Sequence, residues 1–312
     1  MYNPKDIIDA VAANVRKTRG PFGIPKSLDN TWWKKMPLRS KGDALLFTGL
    51  MYQFNPYIEK STQFLEKYED TKLGGILSRF AKYQPSRLSG IGLAMMTPRK
   101  EKIRANRILK NIATMLTKSN VDFCYKPKLD DYSGILLYDL GDQEGFVKHA
   151  KYVAGKLKKA GVKKIITVDP HSTYALKVLY PKYTGETFEV KAYFEVLNLK
   201  SNNGKDGLHV TLHDPCFYGR YLELSDAPRN VLANMGVTVD EVRNSGTFTS
   251  CCGGPAESIS PALSKEVMER RVDELRSTGQ QIVAMCPICL GNLRKSGADV
   301  EDLSSLIARH TL

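Results

Sequence analysis

Apolar and polar positions along the chain fall into a few distinct patterns. Three short apolar or β-branched runs stand just ahead of cysteines: HVTL before HDPC (213–216), TFT before CCGG (251–254) and QQIVAM before CPIC (286–289). Runs of this length, bounded by turn residues, predict strands. Two longer segments, EGFVKHAKYVAGKLKKAG (144–161) and SKEVMERRVDELRSTG (264–279), repeat their apolar positions at helical spacing and end on glycine, a frequent helix stop. A third helix is predicted over 96–118, with Pro98 near its start and Ile108, Ile112, Met115 and Leu116 as one apolar stripe. The short apolar run LSGIGLAMM (88–96) reads as core packing, or as the lining of a groove or membrane interface. The Gly- and Pro-rich segment 18–37, with Trp32 and Trp33, reads as an extended arm laid on a surface.

Composition adds limits. The chain has 312 residues, 42% apolar and 25% charged, ordinary for a globular protein of one large or two modest domains. No run of about 18 apolar residues exists to span a bilayer. The first residues carry Asp6 and Asp9 and lack the apolar core of a secretion signal. A cytoplasmic chain with reduced thiols is therefore expected, with association at the inner face of the membrane as an alternative. The net charge of +13 is uneven: residues 1–57 hold nine Lys/Arg against four Asp/Glu, and 58–125 hold thirteen against six, leaving +1 for the remainder. Such asymmetry suggests an acidic partner, a nucleic acid or an anionic membrane surface, the bland reading being a solvated basic face. Arg99, Lys100, Lys102, Arg104 and Arg107 crowd the first turns of the 96–118 helix, where cations are unfavourable, which hints at an external anion. No nucleic-acid motif is present, and no nucleic-acid partner is expected.

Chemistry concentrates in the cysteines. Cys124 stands alone between aromatic residues and reads as a small buried hydrophobe. Cys216, Cys251, Cys252, Cys286 and Cys289 form a series at three predicted strand ends, where α/β folds place their sites. Adjacent cysteines such as 251 and 252 rarely pair as a disulfide, whose Cα atoms stand ~4.4–6.8 Å apart. Five thiolates exceed both a tetrahedral zinc and the four-cysteine ligation of common iron–sulfur clusters, while soft thiolates still select iron–sulfur or zinc. Count and spacing favour an unusual cluster; zinc held by four of the thiols, or reduced buried thiols, remain alternatives. Gly253 and Gly254 let backbone approach the sulfurs closely.

HDPC, CCGG and CPIC in this order resemble the cysteine-rich CCG domain found in the B and D subunits of heterodisulfide reductases and in their relatives, most strongly over 208–296. The resemblance implies a noncubane [4Fe–4S] cluster bound by Cys216, Cys251, Cys252, Cys286 and Cys289. It implies an oxidoreductase subunit that acts on a thiol or disulfide substrate, free or on a carrier protein. Since no ferredoxin-type cysteine run is present, electrons would come from a separate iron–sulfur protein similar to the C subunit of those reductases, with a flavoprotein subunit as a further partner. A non-catalytic electron-transfer or assembly subunit is the rival role.

Such families usually carry two CCG motifs, and this chain carries one. SGILLYDLGDQE (133–144) aligns with 245–257, placing Asp139 on Cys251, Leu140 on Cys252 and Gly141 on Gly253. IITVDPHSTYALK (165–177) places Asp169 on Cys286 and Ser172 on Cys289, and LLFTGLMYQ (45–53) places Leu50 on Cys216. The chain thus reads as α/β: two similar halves related by an internal repeat, with parallel-strand cores and a helical insertion in the first. The expected organisation is an N-terminal arm (1–40), a degenerate half (41–185) with a basic helical insertion at about 58–125, and the intact cluster-binding half (186–312). One cluster cannot divide a disulfide between two facing clusters as the resemblance implies. His171 and His213 are therefore the candidate catalytic proton donors. Asp139, Asp169 and His171 form a conceivable hard-metal site, against the simpler reading of loop acids and a turn histidine.

Overall fold

A computed structural model describes residues 3–68, 71, 86–200 and 207–311. Part of the expected insertion, residues 69–70 and 72–85, lies outside the described residues. Two four-stranded sheets organise the chain. The first contains β1 (Ala44–Phe47), β2 (Phe123–Cys124), β3 (Lys164–Thr167) and β4 (Glu189–Ala192). The second contains β5 (Leu208–His213), β6 (Val237–Val239), β7 (Gln281–Ala284) and β8 (Val300–Asp302). Every pairing is parallel, and the orders β2-β1-β3-β4 and β6-β5-β7-β8 are the same order in each half. Parallel strands need crossovers on the sheet faces, so their sequences read as short apolar runs such as ALLF and QIVA.

The repeat holds at the level of single residues. Phe47 pairs with Thr167 at the end of β1 and β3, as His213 pairs with Ala284 at the end of β5 and β7. Two residues after β3, Asp169 is the N-cap of the helix Pro170–Tyr174. Two residues after β7, Cys286 is the N-cap of the helix Pro287–Lys295. Gly141 and Gly253 share the left-handed region at φ 85° and 83°, which a side chain would strain. The helices predicted over 144–161 and 264–279 form as Gln143–Lys159 and Pro261–Arg276.

One predicted element differs. GTFTS is not a strand: Gly246–Phe248 is a turn of 3-10 helix, and the strand in this part of the half is β6, further upstream. The reason is local. The Asp214 carboxylate accepts from the Gly246 backbone N–H at 2.7 Å, and Thr249 Oγ1 donates to the Asp214 carbonyl at 2.8 Å. These side-chain bonds replace a strand ladder. The cysteine-bearing segments are accordingly two strand ends and one pinned loop.

The expected insertion is mostly helical where it is described, and its last residues form β2 of the first sheet. Helix Arg99–Lys118 buries Ile108, Leu109, Ile112, Met115 and Leu116, each contributing roughly 1.5–3 kcal/mol of apolar burial. Helix Ser86–Met96 is oriented the other way. Its buried positions are Ser86, Gly90 and Ala94, while Leu88, Met95 and Met96 are 69%, 82% and 65% exposed. Gly90 lies so close to the Gly23 backbone that a Cβ there would stand 2.4 Å away, so the small face is the one that fits against the protein. Of the large residues of 88–96, Leu93 packs against the core, whereas Leu88, Ile91, Met95 and Met96 do not. Trp32 of the arm is buried and its ring lies 4.7 Å from that of Tyr125, so this part of the arm packs on its own chain.

The carboxyl ends of the strands of the two halves meet. After β3, the Thr173 hydroxyl lies 3.2 Å from the Tyr218 hydroxyl and the His171 ring lies 5.0 Å from that of Phe217. After β1, Tyr52 donates to Asp302 at 2.6 Å.

Candidate metal centre

Where the halves meet, the five thiols converge. Pro287 at the start of its helix fixes the turn that presents Cys286 as N-cap and Cys289 one turn later, both buried. Cys252 is buried and Cys251 half-buried on the loop pinned by Asp214. Gly253 N–H donates to Cys251 Sγ at 3.3 Å. Cys216 is half-buried after β5, close enough to Cys252 and Cys286 for their charges to raise it. Cys124 lies apart, buried in β2 at the edge of the first sheet.

The electrostatics reflect crowding. Hydrogen bonds from Cys251, Cys289 and His213 outweigh burial at Cys252 and hold it well below the ordinary thiol range. Burial raises Cys286, but Cys289 and His171 outweigh it and bring it down to about 6. Cys251 and Cys289, which donate to these sulfurs, are raised. Cys216 is raised chiefly by burial. Thiolates are the metal-ligating form, so a pocket that already stabilises two of them is preset for a cation.

Two histidines border the sulfurs, one from each half. His171, 4% exposed, has Nδ1 3.8 Å from Cys286 Sγ and 3.7 Å from Asp169 Oδ1. Burial opposes its charge, but the Cys286 and Asp169 charges prevail and raise it well above the ordinary imidazole range. His213 ends β5. A ring nitrogen of His213 and the sulfurs of Cys252 and Cys289 lie within 4.8 Å of one another, the one such trio of donors among the described residues.

Asp139, Asp169 and His171 form no such trio, so the hard-metal arrangement lacks the required approach of donors among the described residues. Asp169 is engaged as a helix cap, accepting from Ser172 N–H at 2.9 Å. Asp139 is exposed as a residue, but burial of its carboxyl away from water pushes it up to about 6 against the pull of the His171 charge.

The residues fit an all-sulfur group. Five of the donors are soft thiols, more than a tetrahedral ion takes, with the His213 nitrogen beside two of them. The glycines keep the space open: a Cβ on Gly254 would stand 2.3 Å from Ile288 and 3.5 Å from Cys252 Sγ, and one on Gly253 would stand 2.4 Å from the Ser264 carbonyl. Asn292 donates to the Cys252 carbonyl and Ser264 to the Gly253 carbonyl, so these two carbonyls are occupied while the Gly253 N–H faces the Cys251 sulfur.

Three supporting residues were not singled out from sequence. Asp214 sits inside the HDPC motif, two residues before Cys216, and that position is its sequence signal. Arg271, 1% exposed, donates to His213 Nδ1, the Asn244 carbonyl and Glu274. Its one signal is position: it falls on the buried face with Ser264, Met268, Val272 and Leu275, where a charge is unexpected. Asn292 gives no sequence signal beyond lying one turn past Cys289.

Residues 210–294 match the cysteine-rich domain family CCG. The chain is 29% identical over 226 residues to a probable membrane-anchored ferredoxin of Chromohalobacter salexigens, a stretch that is 66% of this chain and 34% of that protein. It is 31% identical over 197 residues to a probable iron-sulfur-binding oxidoreductase, FadF, of Bacillus subtilis (60% of this chain, 28% of that one). It is 35% identical over 178 residues to the D subunit of the dihydromethanophenazine:CoB–CoM heterodisulfide reductase of Methanosarcina mazei (51% and 43%). The chain thus spans less than half the length of these relatives. Residues 210–294 thus resemble the cysteine-rich CCG domain, and the proteins the chain is similar to are named as a ferredoxin, an iron-sulfur-binding oxidoreductase and a heterodisulfide reductase subunit.

Proposed function

We propose that the chain is the iron–sulfur subunit of a heterodisulfide reductase-like complex, and that Cys216, Cys251, Cys252, Cys286 and Cys289 hold one noncubane [4Fe–4S] cluster within the half 186–312. The supporting observation is the convergence of these five thiols between the halves, with His171 of the degenerate half against Cys286. Splitting a disulfide into two thiols consumes two electrons and two protons. When bound, the cluster supplies the electron path, fed by a partner iron–sulfur subunit. The chain's own residues do the rest. Phe217, next in the chain to the half-buried Cys216, stacks on Tyr174, and Tyr221 tilts against both; these rings form an apolar wall for a thiol or disulfide. His171 is the side chain placed to hold a proton there, because a leaving thiolate departs more readily once protonated. Anaerobically purified protein should contain iron and acid-labile sulfide, and a thiol substrate should change the electron paramagnetic resonance spectrum of the oxidised cluster. Zinc without sulfide would overturn this reading. Iron and sulfide with no response to any thiol would assign the chain to electron relay alone.

We further propose that helix Ser86–Met96 meets an anionic membrane surface. No helix among the described residues is long and apolar enough to cross a membrane, so this contact lies at the surface. Exposed Leu88, Met95 and Met96 are flanked by exposed Arg87, Arg99 and Lys100. Apolar side chains rimmed by cations bind such surfaces through buried area plus attraction to anionic lipid. Each cation contributes about 1 kcal/mol, so reversing Arg87, Arg99 and Lys100 to glutamate should weaken binding to phosphatidylglycerol-containing vesicles by about a hundred-fold or more. Lys102 and Arg104 are unsuitable for this test, since Lys102 donates to the Ala94 carbonyl and Arg104 pairs with Glu101. Equal binding to neutral phosphatidylcholine vesicles would remove the cations from the contact and leave apolar insertion alone, and binding to neither would give this face to a protein partner.

A further inference from the structure

We propose that Arg271 fixes His213 in the tautomer with its hydrogen on Nε2, so that His213 serves the cysteine cluster as an N–H donor to sulfur and is not itself a metal ligand. The tautomer follows from the geometry around His213. Arg271 Nε lies 3.1 Å from His213 Nδ1. A guanidinium has donors and no acceptor, so Nδ1 must present its lone pair, and a neutral ring then carries its hydrogen on Nε2. Arg271 has no freedom to do otherwise. It is 1% exposed, its Nη1 donates to the Asn244 carbonyl at 2.9 Å and to Glu274 Oε2 at 2.7 Å, and its Nη2 faces Thr249 Oγ1 at 3.4 Å. Glu274 is itself held by the Asn244 N–H at 2.9 Å.

The other ring nitrogen completes the argument. His213 Nε2 is buried and has no hydrogen-bond partner of ordinary geometry within the chain, the cysteine sulfurs included, which leaves its hydrogen free for a sulfur brought by a bound group. With Nδ1 turned to Arg271, Nε2 is the atom that faces Cys252 and Cys289. A histidine that ligates a metal shows the reverse arrangement, its second nitrogen donating to a carboxylate or carbonyl. Here that second nitrogen meets a cation. His213 therefore stands close enough to ligate but is polarised as a donor. Hydrogen bonds to cluster sulfurs offset the charge gained on reduction, so they raise the reduction potential. Arg271 is a positioning residue in this scheme, acting through His213.

The part of the inference that concerns the potential rests on the cluster reading above; the tautomer does not. The test uses the protein as purified. Nitrogen-15 histidine spectroscopy should show His213 with hydrogen on Nε2 and without direct metal coupling. His213→Phe should keep its iron yet shift the midpoint potential downward. Arg271→Met should shift it the same way, and the double variant no further. Arg271→Lys, which can still only donate to Nδ1, should restore most of the potential. His213→Phe removes the acceptor of Arg271 Nε but leaves the arginine's bonds to the Asn244 carbonyl and Glu274, so it decides the matter if Arg271→Met folds poorly. Loss of iron in His213→Phe comparable to that of a cysteine variant, or hydrogen on Nδ1, would overturn the inference. Protein that holds zinc in place of iron, with His213 still carrying hydrogen on Nε2, would overturn the cluster reading and leave the tautomer standing.

Discussion

Serine at any one of Cys216, Cys251, Cys252, Cys286 or Cys289 is expected to cut the iron and sulfide bound per chain at least several-fold or to alter the cluster spectrum, while Cys124→Ser changes neither. Losing an outer-shell partner already costs a metal site about 10–100-fold in affinity or activity, so losing a ligand should cost at least as much. The five should not respond alike. Cys252 and Cys286, the buried thiols held low by their neighbours, should show the largest loss. Cys251 is half-buried, so a serine there can bring water to the vacated position, and a spectral change with partial iron retention is the expected outcome. Cys124 pairs with Leu45 in the outer register of the first sheet and is buried among core residues. Its loss should register as a small fall in stability alone. Iron loss in Cys124→Ser equal to that in the others would mean that the grouping has been misassigned.

Sequence made the strand ends legible because the repeat preserves backbone devices after the cysteines are gone. Asp169 and Cys286 occupy the same N-cap position for different reasons: the carboxylate caps a helix, the thiol faces its partners. Gly141 and Gly253 keep the same left-handed turn. The pinned loop was illegible because Thr and Phe favour strands locally, whereas the bonds that decide its shape come from Asp214, more than 30 residues away in the chain. The exposed face of Ser86–Met96 was illegible for another reason. An apolar run has the same pattern whether its large or its small residues turn inward, and only the close approach of Gly90 to Gly23 settles which. Arg271 was hidden among the charges of KEVMERRVDELR, where spacing alone marks it as buried. In each case the missing information is a contact between segments distant in sequence.

Asp214→Ala is expected to destabilise the chain by about 3 kcal/mol and to loosen the cluster together with it. Asp214 is 1% exposed. Its carboxylate receives both terminal nitrogens of Arg229 at 2.8 Å and the Gly246 N–H at 2.7 Å. Breaking a buried pair by removing one partner typically costs about 3–5 kcal/mol, because the other charge is left without compensation. The lower end applies here. Arg229 is 20% exposed and keeps Glu241, bonded at 2.6 and 2.9 Å, so its charge is not stranded. The Gly246 N–H has no such reserve, and it begins the loop that carries Cys251 and Cys252. A fall in melting temperature of roughly 6–12 °C is expected, at about 2–4 °C per kcal/mol for a chain of this size. Glu241→Gln is the control: it removes the more exposed carboxylate of the same arginine and should cost less than about 1 kcal/mol. Iron release to a chelator should be faster in Asp214→Ala and unchanged in Glu241→Gln. If the two variants release iron at the same rate, the loop is held by Thr249, Ser264 and Asn292 without help from Asp214. If Asp214→Ala alone releases it faster, the aspartate of HDPC is what ties the strand end bearing Cys216 to the loop bearing the cysteine pair.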